Sequence, residues 1–250
     1  GSSGTKPRAT GIPIIPGSSI KGVLRDARLQ AAGENKDEVF AVFGPPQENA
    51  AEHAGALIVS DARLLFLPVR SFRGTFAWVT SPLLLTLALR DLTEVPAAMQ
   101  PPAAVPLIQG RKAVVAKLEG SLNVHGKGSA ARVFLEDLDL TVGTDETVAS
   151  WAKFLAPHVA AGETAMMFSQ RLVVVDDETM TFLWETCTQV DTRVRIGDRG
   201  VVADGQLWSE ESLPAETVLI GAATAGKAYR KPVPGEAPWK PEALLDYPLK

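Results

Sequence analysis

Between Gly11 and Gly33, apolar and basic positions recur with one period but on different faces. Ile20, Val23, Leu24, Ala27 and Ala31 follow the spacing of a single buried helical stripe. Lys21, Arg25 and Arg28 keep the same period about a quarter turn or more away, at roughly 100° per residue. Pro13 and Pro16 make a rigid entry, Gly17 brings conformational freedom, and Ser18 or Ser19 is placed to cap the first turn. The pattern predicts a capped helix with open amide donors at its start and a cationic row along one side. Such a start suits a phosphate oxygen, because unpaired N–H groups and the helix dipole both favour negative charge. A basic outer face on an amphipathic helix is also ordinary, so this stretch by itself leaves both readings open.

Residues 1–10 are small and polar and read as a lead-in. Residues 36–44 form a short apolar segment closed by Gly44-Pro45-Pro46. The alternation over 56–69 predicts two short strands around Asp61, and Phe76, Trp78 and Val79 mark another. Residues 83–93 read as a helix capped by Ser81 with Pro82 at its first position. Residues 95–106 have no apolar period, which predicts a linker or extended loop outside any core. Strand-like segments at 112–118 and 132–140 flank GSLNVHGKGSA, a turn or flexible loop. A helix follows over 146–155, capped by Asp145 or Thr144; then come a buried strand at 171–175 and a short helix at 177–184. Strands over 188–196 and 201–208 predict a β-hairpin turning at Gly197-Asp198-Arg199-Gly200. A last strand spans 217–222, and an irregular tail from Lys227 has Trp239 and Tyr247 as anchors.

Two hundred and fifty residues suffice for a sizeable core, and no apolar run is long enough to cross a bilayer. The net charge of −4 requires any binding site for polyanions to be a local concentration of cations. Arg193 and Arg195, two residues apart on one strand, share a face. Arg70 and Arg73 bracket Ser71-Phe72, with Trp78 either beside them or in the core. One cysteine, Cys187, excludes an internal disulfide and fits a reducing cytoplasm. His53, His125 and His158 lack zinc-ligand spacing. The carboxylate runs at Glu136-Asp137-Asp139, Asp176-Asp177-Glu178 and Glu210-Glu211 offer oxygen ligands but also read as solvated turns and helix starts.

PGSSIKGVLRDA, from Pro16 to Ala27, resembles the glycine-serine-lysine helix of the RAMP superfamily, the RNA-binding proteins of CRISPR effector complexes. VFGPP (42–46), AGALIVSDARLLFLPVRSFRGTFAWVTSP (54–82), TRVRIGDRG (192–200) and LWSEESLPAET (207–217) resemble successive segments of one branch. That branch supplies the repeating backbone subunit of the type III-B (Cmr) complex. The resemblance implies an α+β fold as a single domain over 1–250. Its core is ferredoxin-like (RRM-like), with large insertions that include 95–131 and a projecting β-hairpin thumb at 188–208. The implied partners are guide RNA, single-stranded target RNA, further copies of the chain and other subunits, with no membrane. Ser18, Ser19 and Lys21 would contact guide phosphates, with Arg25 beside them. Arg193 and Arg195 would lie on the thumb, and Arg70 and Arg73 on the same surface.

No cofactor is identified from the residues; Mg²⁺ is implied if the chain cleaves RNA. In the family the cleavage aspartate precedes the proline-glycine-serine segment, whereas residues 1–16 here hold no Asp or Glu. The family places a strand and a glycine-serine loop ahead of the helix, and this chain begins at or inside that loop. The family's C-terminal glycine-rich loop has only an echo at Gly221–Gly226. A guide-processing endoribonuclease of the same superfamily would want a histidine or tyrosine near the first helix, and none stands there. A non-catalytic scaffold is the other alternative.

Overall fold

Runs of Leu, Val, Ile and Phe make strands in this chain where both faces can be covered, and the longest of them lie at its centre. A computed structural model describes residues 10–33, 36–92, 95, 100–159, 162–196, 202–229 and 240–249. The first elements are β1 (Ile14–Ile15), α1 (Gly17–Ala31), α2 (Asp37–Phe43), β2 (Leu57–Val59), β3 (Ala62–Ser71), β4 (Thr75–Thr80) and α3 (Pro82–Asp91). Then come β5 (Lys112–Val115), β6 (Val124–His125), β7 (Arg132–Leu135), β8 (Leu138–Thr144), α4 (Glu146–Val159), α5 (Glu163–Arg171) and β9 (Leu172–Val175). The last are α6 (Asp177–Thr186), β10 (Gln189–Ile196), β11 (Val202–Ser212), β12 (Val218–Ile220), β13 (Ala223–Ala225) and α7 (Pro241–Asp246). The architecture is mixed α+β. The chain divides into two units, residues 1–14 with 63–220, and residues 15–62 with 221–250.

In the larger unit the strands run β3-β4-β9-β5-β8-β7-β6, and a Ser71–Leu135 pairing rejoins β3 to β7. Six strands thus close a barrel-like circuit. β4 pairs parallel to β9 and β5 parallel to β8, while β3–β4, β5–β9 and β7–β8 are antiparallel. β9 reads Leu-Val-Val-Val and every residue of it is buried, as a strand covered on both faces requires. One face packs Leu67, Val79, Val133 and Val173 against Leu84 of α3 and Met180, Leu183 and Trp184 of α6. The other packs Phe66, Trp78 and Val174 against Trp151 of α4 and Phe168 of α5. The Phe66 and Phe168 rings meet edge to face at 5.3 Å.

Several expectations hold. Ser81 caps α3, accepting from the Leu84 amide, and Asp145 accepts from Thr147 at the start of α4. Asp176 caps α6 through Thr179, and β10 and β11 form an antiparallel hairpin. Its turn at 197–200 lies outside the described residues, as does Trp239.

Of the two readings of Trp78, the core holds: it is 2% exposed, with its Nε1 donating to the Glu216 carbonyl at 3.0 Å. Others are corrected. Residues 132–140 are two strands, because Glu136 at φ 48° turns the chain between β7 and β8. The 95–106 segment is not outside the core: Val105 packs on the second cluster, as does nearby Ile108, and the Ala104 carbonyl accepts from Trp151 Nε1 at 2.8 Å. α5 (Glu163–Arg171) was not foreseen. GSLNVHGKGSA is ordered around Asn123, which is 1% exposed and donates to the Arg73 and Phe76 carbonyls at 2.9 and 3.0 Å.

The smaller unit packs α1 and α2 with the β2–β13 pair and α7. Leu24, Leu29 and Ala32 meet a cluster of Val39, Val42, Phe43, Leu57, Leu244 and Tyr247. The packed face of α1 is therefore rotated from the expected stripe: Val23 is 71% exposed, and Ala27 and Ala31 also face solvent. Tyr247 anchors the tail as anticipated, 5% exposed.

Asn123→Ala would remove the amide donor from the Arg73 and Phe76 carbonyls at the β3–β4 turn and leave Phe76 only its longer bond from Arg171. A loss of about 2 kcal/mol is expected from urea unfolding; a change within error would mean that water replaces the amide at no cost.

Candidate nucleic-acid interface

Helix α1 opens differently from the sequence expectation. It begins at Gly17 with Pro16 as the N-cap residue and no side-chain cap, so Ser18 and Ser19 lie inside the first turn, where neither can cap it. The donor at the very start is taken by a residue distant in sequence: the Gly17 amide donates to Asp61 Oδ1 at 2.9 Å. A carboxylate there also meets the positive end of the helix dipole. The Pro16 carbonyl accepts from the Ser19 amide at 2.9 Å and the Ile20 amide at 3.2 Å. The Ser18 amide has no acceptor among the described residues, and Ser18 is exposed. Glycine is required at 17, where a Cβ would lie 2.2 Å from the Val59 carbonyl oxygen and 2.6 Å from that of Ser60.

The basic row of α1 is half-buried and turned onto its own unit. Lys21 Nζ donates to the Leu57 carbonyl at 2.6 Å, and Arg25 Nη2 to the Pro45 carbonyl at 2.8 Å. The Arg28 guanidinium lies 4.2 Å from the Tyr247 ring centre. These long stems cover apolar surface, and this is why the packed face of α1 includes them and leaves Val23 outside. Burial, and then the charge of Arg25, lowers the Lys21 pKa. A carbonyl satisfies a donor without cancelling its charge, so Lys21 and Arg25 keep their positive field.

In the larger unit, β10 and β11 place Arg193 directly across from Trp208. Side chains directly opposite share a face, so Arg193 and Trp208, the latter 48% exposed, project to the same side of the hairpin. Arg193 Nε also lies 3.0 Å from Glu210 Oε2. The Arg195 side chain lies outside the described residues. Trp208 was within the expected hairpin but not singled out; the signal was the cross-strand register, which a single sequence does not display. Arg70, its side chain 74% exposed, has Nε 3.3 Å from Glu136 Oε2, and Arg73 donates to the Val124 carbonyl. Trp78 does not join them.

Several carboxylates of the three runs are committed to structure. Asp176 caps α6, Asp177 accepts from the Leu83 amide at 2.8 Å, Glu136 meets Arg70, and Glu210 meets Arg193. Among the described residues no three His, Cys, Asp or Glu side chains converge as a metal site. Burial raises the Cys187 thiol pKa, against reactivity as a nucleophile. Among the described residues no helix is long and apolar enough to cross a membrane.

The RAMP superfamily model matches residues 2–233. The CRISPR system Cmr endoribonuclease Cmr4 of Pyrococcus furiosus is 34% identical over 214 residues, which span 85% of this chain and 69% of that protein. The crystal structure of oligomeric Cmr4 from Pyrococcus furiosus matches with a TM-score of 0.68 at 24% identity, covering 98% of this chain and 80% of the other. A chain of the type III-B Cmr-beta complex bound to cognate target RNA matches with a TM-score of 0.63 at 18% identity, covering 90% and 75%. At these identities the structural likeness is one of fold.

Lys21 yields a pH prediction. Its pKa is lowered in the folded chain, so between the folded and unfolded values the unfolded chain binds more protons, and stability rises with pH across that window. Lys21→Met is expected to flatten the rise, measured as urea midpoints from about pH 8 to 11. Parallel profiles for the two proteins would contradict this.

Proposed function

From the premise that this chain belongs to the RAMP superfamily, we propose that it is a guide-RNA-binding backbone subunit of a type III-B CRISPR effector complex. The observation that carries the reading is the 34% identity to Cmr4 across 85% of the chain. Copies of the chain line up along a guide RNA and present it to single-stranded target RNA. Base pairing supplies the specificity, and the protein supplies charge and shape: phosphate contacts fix position without reading bases. The site of action is the cytoplasm, where guide and target RNA both occur. The core is a ferredoxin-like fold in a single domain, a reading supported by β1–α1 followed, after the inserted α2 and β2, by β3–β4–α3.

Each group of cations has a role in this reading. Ser18, exposed with its amide open, meets the guide backbone at the start of α1 with Ser19 next to it, while the half-buried Lys21 and Arg25 act on the phosphates through their positive field. Arg193 and Arg195 act on the β10–β11 thumb, where Trp208 beside Arg193 adds an aromatic face. Arg73 adds charge at the end of β3, with Arg70, paired to Glu136, beside it on the same surface. Cleavage of target RNA is the second reading, favoured by the endoribonuclease name of the Pyrococcus furiosus relative. It would call for Mg²⁺, and among the described residues no three His, Cys, Asp or Glu side chains converge.

Size-exclusion chromatography with light scattering, with and without a single-stranded RNA of several tens of nucleotides, tests the main reading. Co-elution as a particle holding several protein copies is expected; RNA and protein eluting apart at low salt would overturn it. Arg193→Gln with Arg195→Gln is expected to weaken capture of complementary RNA more than loading of the first strand. Equal losses in the two steps would remove the thumb from target engagement.

A further inference from the structure

Phe72 is 81% exposed at the β3–β4 turn. Its ring is one of three that meet at steep angles: 6.4 Å from the His125 ring, 6.0 Å from that of Phe134, with 6.2 Å between the other two. The turn that carries it is fixed from beneath. Asn123 donates to the Arg73 and Phe76 carbonyls, and Arg171 donates to the Gly74 and Phe76 carbonyls with its guanidinium 5.1 Å from the Phe76 ring centre. Gly74 and Thr75 both take left-handed backbone, at φ 81° and 74°, and a Cβ on Gly74 would lie 2.7 Å from the Leu122 carbonyl oxygen. For Thr75 that conformation is strained and persists only because its surroundings enforce it. An exposed phenyl is thus held in one place by buried polar contacts.

Beside the rings, Arg73 and Lys127 line a cleft of about 430 Å³, with Glu119 as its one lining carboxylate. Neither cation has a carboxylate within 4.0 Å among the described residues, whereas Arg70 and Arg132 nearby are paired with Glu136 and Asp139. We propose that this turn is a stacking platform for a base of single-stranded RNA, with Phe72 against the base and Arg73 and Lys127 on the adjoining phosphates. A base needs one aromatic face, and its phosphates need uncompensated positive charge a few ångströms away; both are here, on backbone that needs no ordering on binding. A protein partner would want a wider apolar surface than three rings with a charged rim. The proposal rests on the RNA-binding reading and adds to it a base contact away from α1 and the β10–β11 hairpin.

The test uses the full chain and a single-stranded RNA carrying 2-aminopurine, whose fluorescence is quenched on stacking. Wild type is expected to quench it. Phe72→Leu keeps an apolar side chain but no ring, and is expected to lose the quench and to bind roughly five- to tenfold more weakly. Phe72→Tyr is expected to retain both. Arg73→Gln with Lys127→Gln is expected to lower the salt dependence by about two phosphate contacts while keeping the quench at saturation. Phe72 is exposed, so thermal melts of its variants should match wild type. Quenching and affinity unchanged in Phe72→Leu would overturn the platform and leave the backbone-subunit reading intact. The same result with an altered particle mass would assign the turn to protein contact, and overturn it equally. No RNA binding by wild type would remove both proposals.

Discussion

Two-sided burial of β3, β4 and β9 is the constraint from which the larger unit follows. Leu64 to Leu67 and Val69, Ala77 to Val79, and Leu172 to Val175 are all nearly inaccessible. A strand buried on both faces needs helices on one side and more structure on the other. α4 and α5 cover one face; α3 and α6, with the turning sheet, fill the other. The Ser71–Leu135 pairing closes the sheet where the burial of β3 ends. Immediately beyond it the chain must emerge, and there Phe72 and Arg73 meet solvent. The exposure of Phe72 and Arg73 at this turn is thus a consequence of where the core stops.

Charge is handled in two ways. Arg70, Arg132 and Arg193 stand against carboxylates at distances that neutralise them locally. Lys21, Arg25 and Arg73 are held by backbone carbonyls, which fix their positions and leave their charge uncompensated. For a protein with a net charge of −4 this difference matters more than any count of cations. A polyanion responds to uncompensated charge held in place, and the second group supplies it. The Asp61 carboxylate at the start of α1 works in the other direction, occupying one donor that a phosphate oxygen would use.

Much of the fold was legible because its signals are local. Capping residues announced α3 and α4, and the valine run of β9 could only be a buried strand. Alternation announced β10 and β11. What failed to show was decided at a distance. α5 is amphipathic only in relation to β4 and α4. The 132–140 segment reads as one strand until Glu136 is seen in left-handed backbone. The Pro-Ala segment lacks any period, yet Ala104 and Val105 find Trp151 and the second core cluster.

The candidate site divides along the same line. The motif from Pro16 to Ala27, the spacing of Arg193 and Arg195, and the pair Arg70 and Arg73 were present in the order of residues, and with them the superfamily and the expectation of RNA. Which face of α1 is outward was not present, because Lys21, Arg25 and Arg28 choose partners at Leu57, Pro45 and Tyr247. Nor was the identity of the group on Gly17, which comes from Asp61, or the placing of Trp208 opposite Arg193. Periodicity reports which residues share a side of one element. What that side touches depends on chain that lies tens of residues away, and contacts at that separation exist only once the backbone has closed on itself.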